Sequence, residues 1–181
     1  NGDILASSFK NALKNNDFKL LFQPIISLRG EETERYEIFL RMNVDGKEIA
    51  PPNFLSTAEE LGLSTKIDRW VILESIKNLQ RITQKTQHFI SLTASSIQDE
   101  TLIPWIKVAL EAANIEASSL VLQVKEADII QQLTTAKNFI DTADKIGIAF
   151  CIANFGSAAI DPLGTLDHIN TAHIKIDGAL A

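Results

Sequence analysis

At 181 residues, with 45% apolar and 22% charged side chains, the chain has the profile of one ordinary globular domain able to bury a sizeable core. A net charge of −6 argues against the basic stripe that polymeric nucleic acid requires, but leaves room for a small anion held by one or two local cations. The single cysteine, Cys151, excludes an internal disulfide framework and fits a reducing compartment. No apolar run approaches the ~20 residues of a membrane helix. The stretch at 1–19 lacks the basic-then-apolar layout of a signal peptide, so the cytoplasm is the expected location.

Residues 3–16 read as a helix capped by Asp3, with Leu5, Phe9, Ala12 and Leu13 on one side. It has the character of a connector over residues 1–17, leading into a domain that occupies 18–181. "LLFQPIISL" (20–28) is a strand, with Pro24 marking an edge or an irregularity. "RGEETER" turns the chain into the strand "YEIFLRM", and so short a connection makes this pair antiparallel. "PPNFLSTAEELG" and "KIDRWVILESIKNLQRIT" are helical, the second presenting Trp70, Ile72, Leu73, Ile76 and Leu79 as an apolar face. A strand at 88–94, a helix through "DETLIPWIKVALEAANI", a strand at 120–126 and one long helix from Ala127 to Gly147 follow. Strands at 148–155 and 173–177 flank a short helix, "DPLGTLDHI". Six strands, apolar on both faces and separated by helices, describe a parallel α/β sheet covered on each side. Such a sheet is either open or a barrel cut short of the usual ~8 strands.

In a βα fold, chemistry gathers at the C-terminal ends of the strands. The polar residues there are Gln23, Glu37 with Arg41, Ser91 with Thr93, Gln123 with Glu126, Ala153 with Asn154, and Lys175 with Asp177. Glu37 is conspicuous, because a carboxylate beside Ile38, Phe39 and Leu40 must be paired or functional. As a set, these positions hold few anions. Magnesium or manganese needs several hard oxygen ligands, and a two-metal hydrolase needs enough for both ions.

The order of blocks "LLFQPIISLRG", "YEIFLRM", "PPNFLSTAEELGL", "KIDRWVILESI", "ISLTASS", "LVLQVKEA", "IANFGS" and "HIKIDG" resembles the EAL domain, the family of cyclic-di-GMP phosphodiesterases and their inactive relatives. The resemblance implies an α/β fold, a TIM-like (β/α) barrel with an antiparallel first strand, here truncated before its last two strands. Against the family pattern, the signature reads Glu37-Ile38-Phe39 in place of Glu-Ala-Leu. The family's metal ligands fall on Ser91, Gln123, Ala153 and Asn154; only Glu37 and the catalytic lysine, here Lys175, persist. The resemblance therefore implies a degenerate enzyme, without hydrolysis and without a required metal. The ligand-handling positions are retained. Arg41 would contact a phosphate, Gln23, Phe39 and Leu40 would line the base and ribose surface, and Asp68 would accept from the N1 and N2 donors of a guanine. Within the family, "LLFQPIISLRG", "RM" after "FL", "IPWIKVALEAA" and Gln123 are most similar to the FimX-type group. That group implies a cyclic-di-GMP receptor acting in type IV pilus assembly and twitching motility, with a PilZ-domain protein as partner. A homodimer is left open.

Each residue also has a plainer reading. Glu37 could be a strand carboxylate paired with Arg41 or Lys175, and Asp68 could simply serve the first turn of a helix. Lys175 could be structural, Trp70 and Trp105 core, and Cys151 packing. His88, His168 and His173 have no zinc-ligand spacing. Three functions compete: an inactive receptor that binds nucleotide without metal, a residual phosphodiesterase with one metal at Glu37, and a scaffold whose pocket is crowded by Phe39.

Overall fold

In the computed structural model the sheet begins with a hairpin, because only residues 26–33 separate its first two strands. The structure describes residues 7, 10–12, 14, 15, 17–44, 46–49, 55–155 and 173–176, with 44, 49, 55–57, 155 and 173–176 at backbone level. Strand β1 (Phe18–Ile25) pairs antiparallel with β2 (Glu34–Val44), setting Gln23 opposite Glu37 and Lys19 opposite Arg41. Pro24 lies inside β1, opposite Tyr36. Strands β4 (Thr86–Ser91), β5 (Leu120–Lys125), β6 (Ala149–Phe155) and β7 (His173–Ile176) follow in parallel, in the order β1-β2-β4-β5-β6-β7. This is the arc of a TIM-like (β/α) barrel with an antiparallel first strand.

Among the described residues the sheet has seven strands where six were expected. Strand β3 (Lys47–Ile49) folds back on β2, with Val44 paired to Lys47. Its connection is the two-residue Asp45-Gly46, and Gly46 takes a φ of +77°. An Asp-Gly pair is a strong hairpin signal, but three residues are too few to display alternation.

The helices are α1 (Leu55–Glu60), α2 (Ser64–Leu79), α3 (Ala94–Ile97), α4 (Leu102–Ala113), α5 (Glu126–Gln131) and α6 (Leu133–Lys145). Two differ from expectation. Strand β4 ends at Ser91 and the polar run after it forms α3. The single helix expected over 127–147 is two, broken at Gln132 (φ −144°, ψ 52°). Gln132 turns its side-chain amide to the carbonyl of Ala94, 3.2 Å away, so a tertiary hydrogen bond overrides the helical periodicity. At the N-terminal end, residues 7, 10–12, 14 and 15 are helical and Ala12 is buried. The short helix expected at 161–169 lies outside the described residues. No helix among the described residues is long and apolar enough to cross a membrane.

Strand alternation divides the residues between two faces. Ile38, Leu40 and Met42 of β2, with Ile90, Leu120, Leu122, Val124, Phe150 and Ile152, pack outward against α2, α4 and α6 as the main core. Inward, Phe89, Val121 and Cys151 form a small apolar plug with Ile25 and Ala149. Cys151 is thus packing, and Trp70 and Trp105 are half-buried against the main core. The polar residues Ser91 and Gln123 come two positions after Phe89 and Val121, towards the C-terminal ends of their strands.

Candidate functional site

A cleft of about 410 Å³ opens at these C-terminal ends, between β2, β4, β5 and the first two helices. Phe39 and Leu40 line it from β2, Asp68 and Val71 from α2, and Ser91 and Thr93 from β4 and the turn that follows. Three charged side chains complete the wall: Glu59, Lys125 and Asp128.

Asp68 is the organised group of this cleft. It occupies the fifth position of α2, where helix packing buries it to 4% exposure. Its Oδ2 accepts three hydrogen bonds: from the backbone N of Thr93 (2.9 Å), the Thr93 hydroxyl (2.8 Å) and the Ser96 hydroxyl (2.6 Å). Burial pushes the Asp68 carboxyl up to about 6; the hydrogen bonds from Ser96 and Thr93 oppose that rise, and nearby Glu59 adds to it. Asp128, across the cleft, is raised mainly by burial, with Lys125 opposing and Glu59 adding. Glu59 is itself held by the Ser95 hydroxyl at 2.8 Å.

Deeper inside the arc, Glu37, Ser91 and Gln123 converge from β2, β4 and β5. The Gln123 amide Nε2 lies 3.5 Å from Glu37 Oε1 and 3.5 Å from Ser91 Oγ. Gln123 is buried, and its Oε1 has no hydrogen-bond partner among the described residues. Ala153 is half-buried on β6 opposite Lys125, and Asn154 is exposed in a left-handed conformation (φ 54°). Lys175 takes its place in the backbone of β7, while Asp177 lies outside the described residues. No cluster of three or more His, Cys, Asp or Glu side chains suited to a metal ion occurs among the described residues.

Arg41 shares the inward face of β2 with Glu37 and Phe39. Its guanidinium pairs with Glu48 of β3 at 3.6 Å, donates to the Leu40 carbonyl at 2.9 Å, and lies 6.0 Å from the Phe39 ring centre. Gln23 is exposed on β1, opposite Glu37 in register. Neither Arg41 nor Gln23 lines the cleft itself. The Leu40 side chain packs with the outer core, so that residue borders the cleft and supports the helical layer at once. Sequence reasoning missed Ser96, Glu59, Lys125 and Asp128, and noted Thr93 only by its place at a strand end. The run Thr93-Ala94-Ser95-Ser96 before an apolar residue was the available signal, since hydroxyl residues gather at helix starts.

The EAL-domain family model matches residues 6–181. The chain belongs to the EAL-domain family. The EAL domain of FimX from Pseudomonas aeruginosa, crystallised bound to c-di-GMP, is 43% identical with a TM-score of 0.92, covering 97% of this chain and 72% of that one. The FimX EAL domain of Xanthomonas citri, in complex with c-diGMP, is 28% identical with a TM-score of 0.90, covering 99% and 71%. Among curated relatives, the cyclic di-GMP phosphodiesterase PdeF of Escherichia coli is 30% identical over 97% of this chain and 24% of its own length. The chain thus spans about a quarter of the length of the curated relatives it matches. In this EAL domain the cleft joins Phe39 of the signature stretch to Asp68 of the "DRW" block, which the sequence separates by 29 residues.

Proposed function

We propose that this EAL domain is a cyclic-di-GMP receptor that does not hydrolyse its ligand. The observation that carries this reading is the contrast between two neighbouring polar groups. In the cleft, a buried carboxylate is held in one orientation by three donors, as recognition of a base edge requires. In the inner group, the place of a cation is bordered by one carboxylate, one hydroxyl and an amide whose NH2 faces both of them. That donor set does not suit magnesium or manganese, which bind several oxygen ligands and mostly carboxylates. Ser91, Gln123, Ala153 and Asn154 stand where active members place ligands, and Glu37 and Lys175 are remnants. Metal-assisted hydrolysis then lacks its support, whereas binding needs no ion.

In the proposed complex Asp68 accepts hydrogen bonds from a guanine edge, Phe39 and Leu40 border base and ribose, Gln23 lies beside them, and Arg41 turns to a phosphate oxygen. A guanidinium fork matches such an oxyanion well. The likeness to two FimX EAL domains solved with this nucleotide supports the ligand assignment. The FimX-type blocks of the sequence carry the rest of the reading: a cytoplasmic receptor for type IV pilus function and twitching motility, acting through a PilZ-domain protein. Residues 1–17 then serve as the connector into the receptor domain at 18–181.

A residual phosphodiesterase is the second reading, favoured by the retained Glu37 and by PdeF, a relative named as such an enzyme. Calorimetric titration of the full-length protein with cyclic-di-GMP in excess EDTA separates the readings. Saturable binding without metal, and no linear dinucleotide after magnesium or manganese is added, is the expected result. Metal-dependent product that disappears in Glu37→Ala would establish the enzyme. No binding under either condition would leave a scaffold.

A further inference from the structure

Two oxygens of Asp68 meet different surroundings. Oδ2 receives all three of the hydrogen bonds that the described residues give this carboxylate, at 2.6 to 2.9 Å. Oδ1 receives none. A carboxylate offers about four lone-pair sites over its two oxygens, so Oδ2 is saturated. The donors come from the turn after β4 and from the short helix α3, while Asp68 sits on α2. Three hydrogen bonds from a separate element restrict rotation of the carboxylate, and Asp68 lines the cleft wall.

We infer that Thr93 and Ser96 are positioning residues for ligand recognition: they commit Oδ2 of Asp68 and leave Oδ1 as the acceptor that meets the N–H edge of a purine base. The inference rests on the receptor reading above and adds residues to it. A donor edge that would otherwise find a freely turning carboxylate finds one oxygen at a set position, and less rotational freedom is lost on binding. In this arrangement the donor edge is met by the single oxygen Oδ1. Neither Thr93 nor Ser96 needs to touch the ligand.

The test is a double-mutant cycle on the full-length protein, read by calorimetry with cyclic-di-GMP. Thr93→Val keeps the side-chain shape and the backbone hydrogen bond but loses the hydroxyl; Ser96→Ala loses its hydroxyl likewise. Each is expected to weaken binding about 10- to 100-fold, the scale of one hydrogen bond to a charged group. Thr93→Ser retains the hydroxyl and is expected to bind within about twofold of the parent. In an Asp68→Asn background, Thr93→Val and Ser96→Ala should each add less than about twofold, since the amide oxygen takes their hydrogen bonds and the NH2 in place of Oδ1 offers the ligand no acceptor to position. A purely structural role would give the same loss in both backgrounds. Parent-like binding by both single variants, or a loss that persists in Asp68→Asn, overturns the positioning role while the receptor reading stands. Failure of the parent to bind overturns both. If Ser96→Ala does not fold, Thr93→Val against Thr93→Ser carries the test.

Discussion

The Gln123 amide Nε2 stands 3.5 Å from Oε1 of Glu37, so two residues 86 positions apart in the chain meet donor to acceptor inside the barrel arc. Replacing Gln123 by Glu would set two carboxylates face to face in a partly buried space. Like charges there repel, and one carboxyl must take up a proton or the domain must loosen. Gln123→Glu is expected to lower stability by about 1 to 3 kcal/mol without divalent ions. Manganese should recover part of that loss, because the second carboxylate supplies a hard ligand. Thermal melts of parent and variant with EDTA and with manganese check this; a variant whose melting point ignores manganese would show that the inner group cannot be restored to a cation site.

Arg41 is engaged before any ligand arrives. Its partner Glu48 is half-exposed, and such a surface pair contributes about 0 to 1 kcal/mol. A phosphate would have to draw Arg41 from Glu48, so Glu48→Gln should strengthen cyclic-di-GMP binding by up to about fivefold. Arg41→Ala should weaken it about 10- to 100-fold, the scale of a charge-assisted contact. Titrations at two salt concentrations distinguish the two effects. Unchanged affinity in Arg41→Ala would remove this residue from the ligand contacts.

Asp68 and His88 give stability opposite dependences on pH. Asp68 is raised from 3.8 to about 6, so between those values the folded state holds the extra proton and stability falls as pH rises. His88 is fully buried beside the Ser75 hydroxyl, 2.6 Å from its Nδ1, and burial lowers it from 6.5 to about 4. There the unfolded state holds the extra proton, and stability rises with pH over that window. Each effect amounts to about 3 kcal/mol in full, at 1.36 kcal/mol per pH unit. Between pH 4.5 and 6 they nearly cancel, so the parent's unfolding free energy should vary little. Asp68→Asn leaves the histidine effect alone, and stability should climb by about 2 kcal/mol over the same range. Urea denaturation at both pH values measures this. A flat profile in Asp68→Asn would contradict the assignment of opposing titrations.

The outer core is independent of nucleotide. Ile72 of α2 is completely buried in the main core. Ile72→Ala should destabilise by about 2 to 5 kcal/mol, and Ile72→Val by about 0.5 to 1.5 kcal/mol. Equilibrium urea unfolding gives both numbers. A loss under 1 kcal/mol in Ile72→Ala would mean that α2 repacks freely over the sheet, leaving Asp68 without a firm base.

Much of the architecture was legible in residue order. The stretch through Glu37 was legible as a strand, and once it is one, Ile38, Leu40 and Met42 must face away from Glu37, Phe39 and Arg41, because successive side chains point opposite ways. The short span between the first two strands determined their antiparallel pairing, and the ordered motif blocks determined the family. Local pattern was silent on Gln132, where helical spacing continues but a hydrogen bond to Ala94 breaks the helix. It was equally silent on which oxygen of Asp68 is engaged. Thr93 and Ser96 lie 25 and 28 residues further along, and nothing in their identity names Asp68 as acceptor. The physical reason is one of range. Periodicity and turn chemistry act over a few residues and so can be read from sequence alone. Hydrogen-bond partners between elements depend on how α2 packs over the end of β4, and only the tertiary structure decided that.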